Sequence, residues 1–345
     1  MIGYYVHHQG QGHVSRALRL AHQIDAEVTG LSSLERPPGW QGPWIRLDPD
    51  DRSDPPHDPT ARGHLHWAPL GDPGLRSRMA RIADWIDTAR PDVVISDVSV
   101  EVALLARLHG VPVVCVTQPG DRGDAAHRLA HGLCDLLVAF VPEAARSAVR
   151  GLTEQDRARL HCLGAVSAHA DRAAHADRAV HTEPDTSVVV QQRCVVVLGG
   201  RGGGGLSVAA LERAQRLAPG WSWTVLGGRS ETWVDDPLAI VRAAEVVITH
   251  AGLGALADVA LAGRPAIVVP EVRPHDEQVS TAGVLADGSW PALVETDPES
   301  ADWPALLATA ASLDGRGWSR WSGGDAAARF AALLQDLSGQ EATLR

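Results

Sequence analysis

Lysine is absent from the 345 residues, so every basic side chain other than histidine is an arginine. The abundance of Ala, Gly and Arg points to coding bias in a GC-rich genome rather than to chemistry. Asp and Glu outnumber the cations 42 to 31, giving a formal net charge of −11, which argues against a dedicated nucleic-acid binder resting on clustered cations. Cysteine is scarce: Cys115, Cys134, Cys162 and Cys194 lie far apart with no C-x-x-C pair, and they read as reduced core residues rather than ligands. No apolar run approaches the roughly 20 residues that cross a bilayer. The opening Met1-Ile2-Gly3-Tyr4-Tyr5-Val6 lacks a basic leader followed by a long apolar region, so no signal peptide is expected. These absences predict a cytoplasmic protein, and they leave open a peripheral contact with the inner face of a membrane.

What is present is a succession of short apolar runs, each followed by a helix-like stretch rich in Ala, Leu and Arg. The runs include Ile2 to Val6, Val93 to Ile95, Val111 to Val116, Leu136 to Val141, Cys194 to Leu198, Trp223 to Leu226, Val246 to Thr249 and Ala266 to Val269. Continuous rather than alternating apolar strands predict parallel sheets covered on both faces, an α/β fold. The length favours two domains. The boundaries are set at 1–166 for the first, 167–192 for a linker and 193–345 for the second. The linker carries the near-duplicate Ala168-His169-Ala170-Asp171-Arg172 and Ala174-His175-Ala176-Asp177-Arg178, read as a solvated linker rather than a metal site. The stretch Ser32 to Pro73, rich in Pro, Gly, Asp and Trp, reads as an irregular excursion suited to acceptor contacts. The closing helical pattern Asp325 to Leu337 is placed to pack back on the first domain.

The first strand runs into His7-His8-Gln9-Gly10-Gln11-Gly12-His13 and then a helix. In a doubly wound sheet, ligands bind beyond the carboxyl ends of the strands, where this loop lies. Gly10 and Gly12 allow a close backbone approach, and the helix start favours negative charge. His13 is a candidate general base, or a histidine that only caps the helix. Asp97 ends the strand Val93 to Ser96 on the same rim and could orient the imidazole, or could simply cap the next helix. Asp121 and Asp124 are weaker candidates.

The second half opens with the strand Cys194 to Leu198 and a glycine loop containing Gly200, Arg201, Gly202 and Gly203. Strand, glycine loop and helix suggest phosphate binding, with Arg201 adding charge. The loop is not G-x-x-x-x-G-K-[ST], which argues against a P-loop NTPase. Further on, the strand Val246 to Thr249 delivers His250-Ala251-Gly252-Leu253-Gly254 to a helix start, with Asp258 two turns along. Ala266 to Pro270 returns as a strand, and Glu277-Gln278 follow on the same rim. His250 and the helix start could hold a diphosphate, and an acidic side chain could accept from ribose hydroxyls.

His250, Gly252, Asp258, Gly263 to Pro265 and Glu277-Gln278, in this order, resemble the donor-binding signature of GT-B glycosyltransferases. The group includes the UDP-sugar transferases and the MurG-type enzymes, with a family-28-like C-terminal domain. Asp258 stands where the group usually has Glu, one methylene longer. The first loop is similar to the group's Gly-x-Gly-His, and the Arg201 loop to a Gly-Gly-Ser-x-Gly stretch with Arg in place of Ser. Trp233-Val234-Asp235-Asp236 is similar to the segment that covers the nucleotide base. By this resemblance Trp233 would stack on the base and Val234 would offer backbone bonds, while Asp97 stands where plant-type members keep the acid assisting the catalytic His.

The resemblance implies two Rossmann-like, doubly wound domains facing a cleft. It also implies an inverting hexosyl transfer from a nucleoside-diphosphate sugar, UDP favoured, to an acceptor hydroxyl, with His13 as base. Neither metal nor cofactor is implied, and the donor loops contain no D-x-D motif. The acceptor class stays open among small molecules, polyprenyl-linked lipids and wall polymers. Gly12-His13-Val14-Ser15-Arg16 is also similar to the loop of PseG-type nucleotide-sugar hydrolases, so hydrolysis is an alternative reading. Others are a GT-B epimerase and a non-catalytic nucleotide-sugar-binding subunit.

Overall fold

A computed structural model describes residues 1–51, 53–170, 193–199, 206–228, 232–234 and 236–342. Gly200, Arg201, Gly202 and Gly203, the linker from Asp171 to Gln192, and Asp235 lie outside the described residues. The chain divides into two compact units. Unit 1 comprises Met1–Phe140, Val149–Leu163 and Asp325–Arg345; unit 2 comprises Val141–Ala148 and Gly164–Gly324.

Unit 1 is built on a seven-stranded parallel sheet. Its strands are β1 (Ile2–Tyr5), β2 (Val28–Ser32), β3 (Trp44–Arg46), β4 (Val93–Asp97), β5 (Val113–Thr117), β7 (Leu136–Ala139) and β9 (Leu160–Cys162), in the order β3-β2-β1-β4-β5-β7-β9. A separate parallel pair joins β6 (Gly120–Asp121) to β8 (Val149–Arg150). The helices are α1 (Gln11–Ala21), α2 (Pro73–Ala89), α3 (Val100–Leu108), α4 (Ala125–Leu133) and α5 (Glu154–Arg159). The strand order reverses direction between β1 and β4, and in such sheets the crevice beyond the strand ends at this reversal takes ligands. The register Tyr4↔Ile95 and Tyr5↔Ser96 brings the two strand ends level there.

Polar side chains start the helices: Asp72 accepts from Leu75 N at α2, where Pro73 occupies the first turn, and Ser99 accepts from Val102 N at α3. Asp97 is therefore not the cap of α3. The excursion contributes an element that its composition conceals, because β3 pairs with β2 at the sheet edge. Gly30 makes this seat, since a Cβ there would overlap the Trp44 ring.

Unit 2 carries a five-stranded parallel sheet of β10 (Arg193–Leu198), β11 (Trp221–Leu226), β12 (Val246–Thr249), β13 (Ala266–Val268) and β14 (Ala292–Val294). Their order is β11-β10-β12-β13-β14, so the reversal falls between β10 and β12. Its helices are α6 (Val208–Leu217), α7 (Leu238–Ala243), α8 (Leu253–Ala262), α9 (Glu277–Leu285) and α10 (Trp303–Ala311). Val195, Val197, Val246, Ile248 and Ile267 meet Trp303 and Leu307 of α10 in the core. Three tryptophans, Trp290, Trp318 and Trp321, stack at centroid separations of 5.2 to 6.3 Å, with Trp318 Nε1 donating to Arg264 O. The turn Glu143–Ala148 packs on α9 in this unit.

The last helix, α11 (Ala326–Ala342), packs on α1 in unit 1, where Arg329 donates to the carbonyls of Cys162 and Leu163 and Phe330 meets Phe140 at 5.7 Å. All four cysteines are free thiols, three of them buried. No helix among the described residues is long and apolar enough to cross a membrane.

Candidate functional site

At the reversal in unit 1, α1 starts at Gly10, whose φ of 95° lies where glycine is favoured and which gives no side-chain cap. His13 is thus free of capping and turns to β4: its Nδ1 lies 2.9 Å from Asp97 Oδ2. Asp97 is fully buried, and its second oxygen, Oδ1, accepts from Arg16 Nη2 at 2.6 Å. Arg16 Nη2 also stands 3.1 Å from His13 Nδ1. Burial alone would raise the Asp97 carboxyl, but Arg16 first and His13 second outweigh it and hold it down at about 2. His13 Nδ1 thus lies between a carboxylate oxygen, which can accept its proton, and a guanidinium, which can only donate; in the tautomer protonated at Nδ1, Nε2 keeps the lone pair a general base requires.

The backbone beside this group is strained. Val98, β-branched, adopts φ 60° directly after Asp97. His7 meets His13 edge-on at 5.4 Å, and burial, then His13 and His8, lowers His7 to about 3. The excursion reaches the same loop, with Asp50 Oδ1 3.8 Å from His8 Nε2 and Asp50 Oδ2 on buried Arg78.

Unit 2 presents a different histidine at its own reversal. Beyond β12, Gly252 N–H donates to His250 Nδ1 at 3.0 Å, which forces the ring proton onto Nε2. Burial keeps this imidazole from protonating, with Glu271 opposing and Arg273 assisting. His250 is therefore a neutral donor, suited to an anion. A Cβ on Gly252 would overlap the His250 ring, so the glycine is required. Leu253 and Gly254 open α8, whose free N–H groups favour negative charge.

Gln278 is buried, and its Oε1 accepts from Ala251 N and Glu271 N, both at 3.1 Å, so it ties the His250 turn to the chain after β13. Glu277, half-buried, starts α9 after two consecutive left-handed residues, His275 and Asp276. Asp258 on α8 accepts from Ser167 Oγ at 2.7 Å and stands 3.9 Å from His169 Nε2. Burial raises its carboxyl against the opposing pull of Ser167 and His169. Trp233 and Val234 follow the turn at Gly227, and the Trp233 side chain is 38% exposed.

Two groupings emerge only in the structure. Arg16 with His13 and Asp97 is the first, although the spacing of three between Arg16 and His13 places both on one helix face. The second is a cluster in unit 1 where His66 Nε2, His127 Nδ1 and Asp124 come within 2.6 to 3.6 Å of one another. Asp124 caps α4, and Arg122 Nη1 lies 3.2 Å from His127 Nε2. Since arginine only donates, His127 carries its proton on Nδ1 and gives it to Asp124. An adjacent cavity of about 20 Å³, lined by Ser96, Val98, Thr117, Gln118, Arg122 and His127 among others, has room for a water and not for a substrate.

Residues 230–288 match the glycosyltransferase family 28 C-terminal domain. A relative from Rubrobacter xylanophilus, named UDP-N-acetylglucosamine--N-acetylmuramyl-(pentapeptide) pyrophosphoryl-undecaprenol N-acetylglucosamine transferase, is 30% identical over 256 residues, 64% of this chain and 70% of its own. Other relatives of that name match over only 22% of their own length. The solved glycotransferase of kitacinnamycin superposes with a TM-score of 0.66 at 16% identity, covering 97% of this chain and 98% of that one. The MurG of Acinetobacter baumannii gives 0.60 at 16% identity, covering 97% and 99%. Two parallel α/β units with these neighbours constitute the GT-B fold, and the chain belongs to the MurG-like, family-28 group of glycosyltransferases.

Proposed function

We propose that this protein is an inverting transferase that moves a hexosyl group from a nucleoside-diphosphate sugar to an acceptor hydroxyl. The observation that carries the reading is the His13–Asp97 pair, a carboxylate-oriented imidazole with Nε2 available at the carboxyl edge of the unit 1 sheet. His13 Nε2 takes the proton of the acceptor hydroxyl. The hydroxyl oxygen forms a bond to the anomeric carbon, the bond from that carbon to the diphosphate oxygen breaks, and the nucleoside diphosphate leaves with the electron pair. Single displacement inverts the anomeric centre.

Unit 2 supplies the donor site in this reading. His250 Nε2–H and the first turn of α8 meet the diphosphate, a preorganised stabilisation of the charge that develops on the leaving group. Asp258 and Glu277 receive hydroxyls of ribose and sugar, and Trp233 stacks on the base. Gln278 acts by holding the His250 turn in place. The chemistry uses no cofactor and no metal.

UDP-sugars come first among donors because of the names of the relatives, and TDP-sugars second because a solved neighbour, the spinosyn rhamnosyltransferase SpnG, was obtained with thymidine diphosphate. A polyprenyl-pyrophosphate-linked sugar is the first acceptor class to screen. The test is product analysis by mass spectrometry with each donor, with and without acceptor, and with a chelator. Acceptor-dependent release of the nucleoside diphosphate with formation of an inverted glycoside, unchanged by chelator, supports the reading. Free sugar released at the same rate without acceptor replaces it with hydrolysis. Chelator-sensitive transfer removes the metal-free part and turns attention to His66, Asp124 and His127.

A further inference from the structure

Arg16 stands where it cannot be neutral toward His13. Its Nη2 is 2.6 Å from Asp97 Oδ1 and 3.1 Å from His13 Nδ1, and Asp97 Oδ2 is 2.9 Å from that same Nδ1. One ring nitrogen thus faces both an acceptor and a donor. If Nδ1 carries a proton, Asp97 receives it and Nε2 is a base. If Nδ1 is bare, the guanidinium can donate to it, the proton moves to Nε2 and the base is lost.

Arg16 is almost completely buried and lies over the Phe140 ring at 5.5 Å, beside Tyr4 on β1. Phe140 in turn packs on Phe330 of α11, so the guanidinium is held from two sides. The other titratable groups facing His13 are His7 and His8 from the loop after β1; Asp97 comes from β4, and Tyr4 from β1 stands by Asp97 and Arg16.

We propose that Arg16 is a positioning residue that fixes Asp97 through Oδ1, directs Oδ2 to His13, and holds the resting imidazole uncharged by placing a permanent cation beside Nδ1. The inference rests on His13 being the base. It adds a trade: a guanidinium this close opposes a second positive charge on the ring while it balances the buried Asp97 carboxylate. Asp97 stays ionised because Arg16 balances it. Without the guanidinium, both the loss of a neighbouring cation and the unbalanced carboxylate bind a proton to the imidazole more tightly.

The test compares wild type with Arg16→Gln and Arg16→Lys, after checking by circular dichroism that each is folded. Two readouts are used. In histidine NMR, with His13→Gln to assign the ring, the His13 imidazole of Arg16→Gln is expected to take up its proton about one pH unit higher than in wild type, and Arg16→Lys to fall between. In transfer assays, the acid limb of kcat/KM for Arg16→Gln is expected to move up by about the same amount, with activity recovering toward alkaline pH, while the KM for donor stays constant.

An unchanged His13 titration in folded Arg16→Gln overturns the proposal, as does a uniform loss of rate at every pH, which a structural role alone would give. If Arg16→Gln does not fold, Arg16→Lys carries the test, and a titration identical to wild type together with reduced transfer overturns it. The NMR readout needs no turnover, so the proposal about Arg16 can fail or survive separately from the assignment of His13 as the base in transfer.

Discussion

The two units place a histidine at the same architectural position. Each follows a buried parallel strand at the point where the strand order reverses, beside a glycine and a helix start, yet the two rings are prepared for opposite work. His13 Nδ1 lies 2.9 Å from the Asp97 carboxylate and 3.1 Å from the Arg16 guanidinium, and Nε2 is a lone pair when Asp97 holds the Nδ1 proton. His250 Nδ1 accepts the Gly252 N–H at 3.0 Å, which makes Nε2 a donor. The difference lies in the partner of the hidden nitrogen and not in the histidine or its strand. In the proposed function, a fold used twice carries the base in one unit and an anion donor in the other.

The largest expected effect breaks the first half of this comparison. His13→Gln should lower the transfer rate by about 10²- to 10⁴-fold while the donor dissociation constant, read by calorimetry, stays within twofold of wild type. Next, His250→Ala removes the hydrogen bond that the proposed function gives to the donor diphosphate. It should weaken donor binding by about 1.5–3 kcal/mol, roughly tenfold to a hundredfold. Gly252→Ala should act in the same direction without touching the ring chemistry, because the new Cβ displaces the imidazole.

A smaller effect separates the units by acid. In unit 1, burial lowers His7 and His127 to about 3, with neighbouring histidines assisting, and lowers His131 to about 4 against the opposing pull of Asp156. The unfolded chain binds protons to these residues below about 6.5 while the folded unit does not, so stability is full above that pH and falls as pH drops toward 4. Buried His131 alone should account for about 1–2 kcal/mol at pH 5. Thermal unfolding from pH 7.5 to 5 should show unit 1 losing structure first, and His131→Gln should flatten the dependence.

The smallest effect is at Val98. Replacing it with Gly relieves a left-handed backbone but gives up a half-buried side chain, so stability should stay within about 1 kcal/mol. Transfer should fall by roughly severalfold as Asp97 loses its fixed orientation.

The parts legible in the sequence are those written locally. Buried parallel strands appear as unbroken Val and Ile runs, and β1, β4, β10 and β12 could be read directly. That Asp97 ends a strand on the rim of the His13 loop was readable for the same reason. What escaped depends on partners distant in sequence. β3 is three residues long inside a Pro- and Gly-rich excursion, and only the missing Cβ of Gly30 makes its seat. The Nδ1 partner of His250, two residues away, required the turn geometry. The bond from Ser167 to Asp258 spans 91 residues, and the hold of Gln278 on Ala251 spans 27, so neither shows as periodicity. Arg16 was visible as a residue, but its role needed the burial of Asp97 between it and His13.

The most direct test of the account measures donor binding and transfer side by side for His13→Gln and His250→Gln at one pH. The account predicts a double dissociation: His13→Gln binds donor as wild type does and scarcely transfers, whereas His250→Gln binds donor far more weakly and regains part of its rate as donor is raised. Loss of donor binding in His13→Gln, or transfer that survives its replacement, would contradict the division of roles between the two histidines.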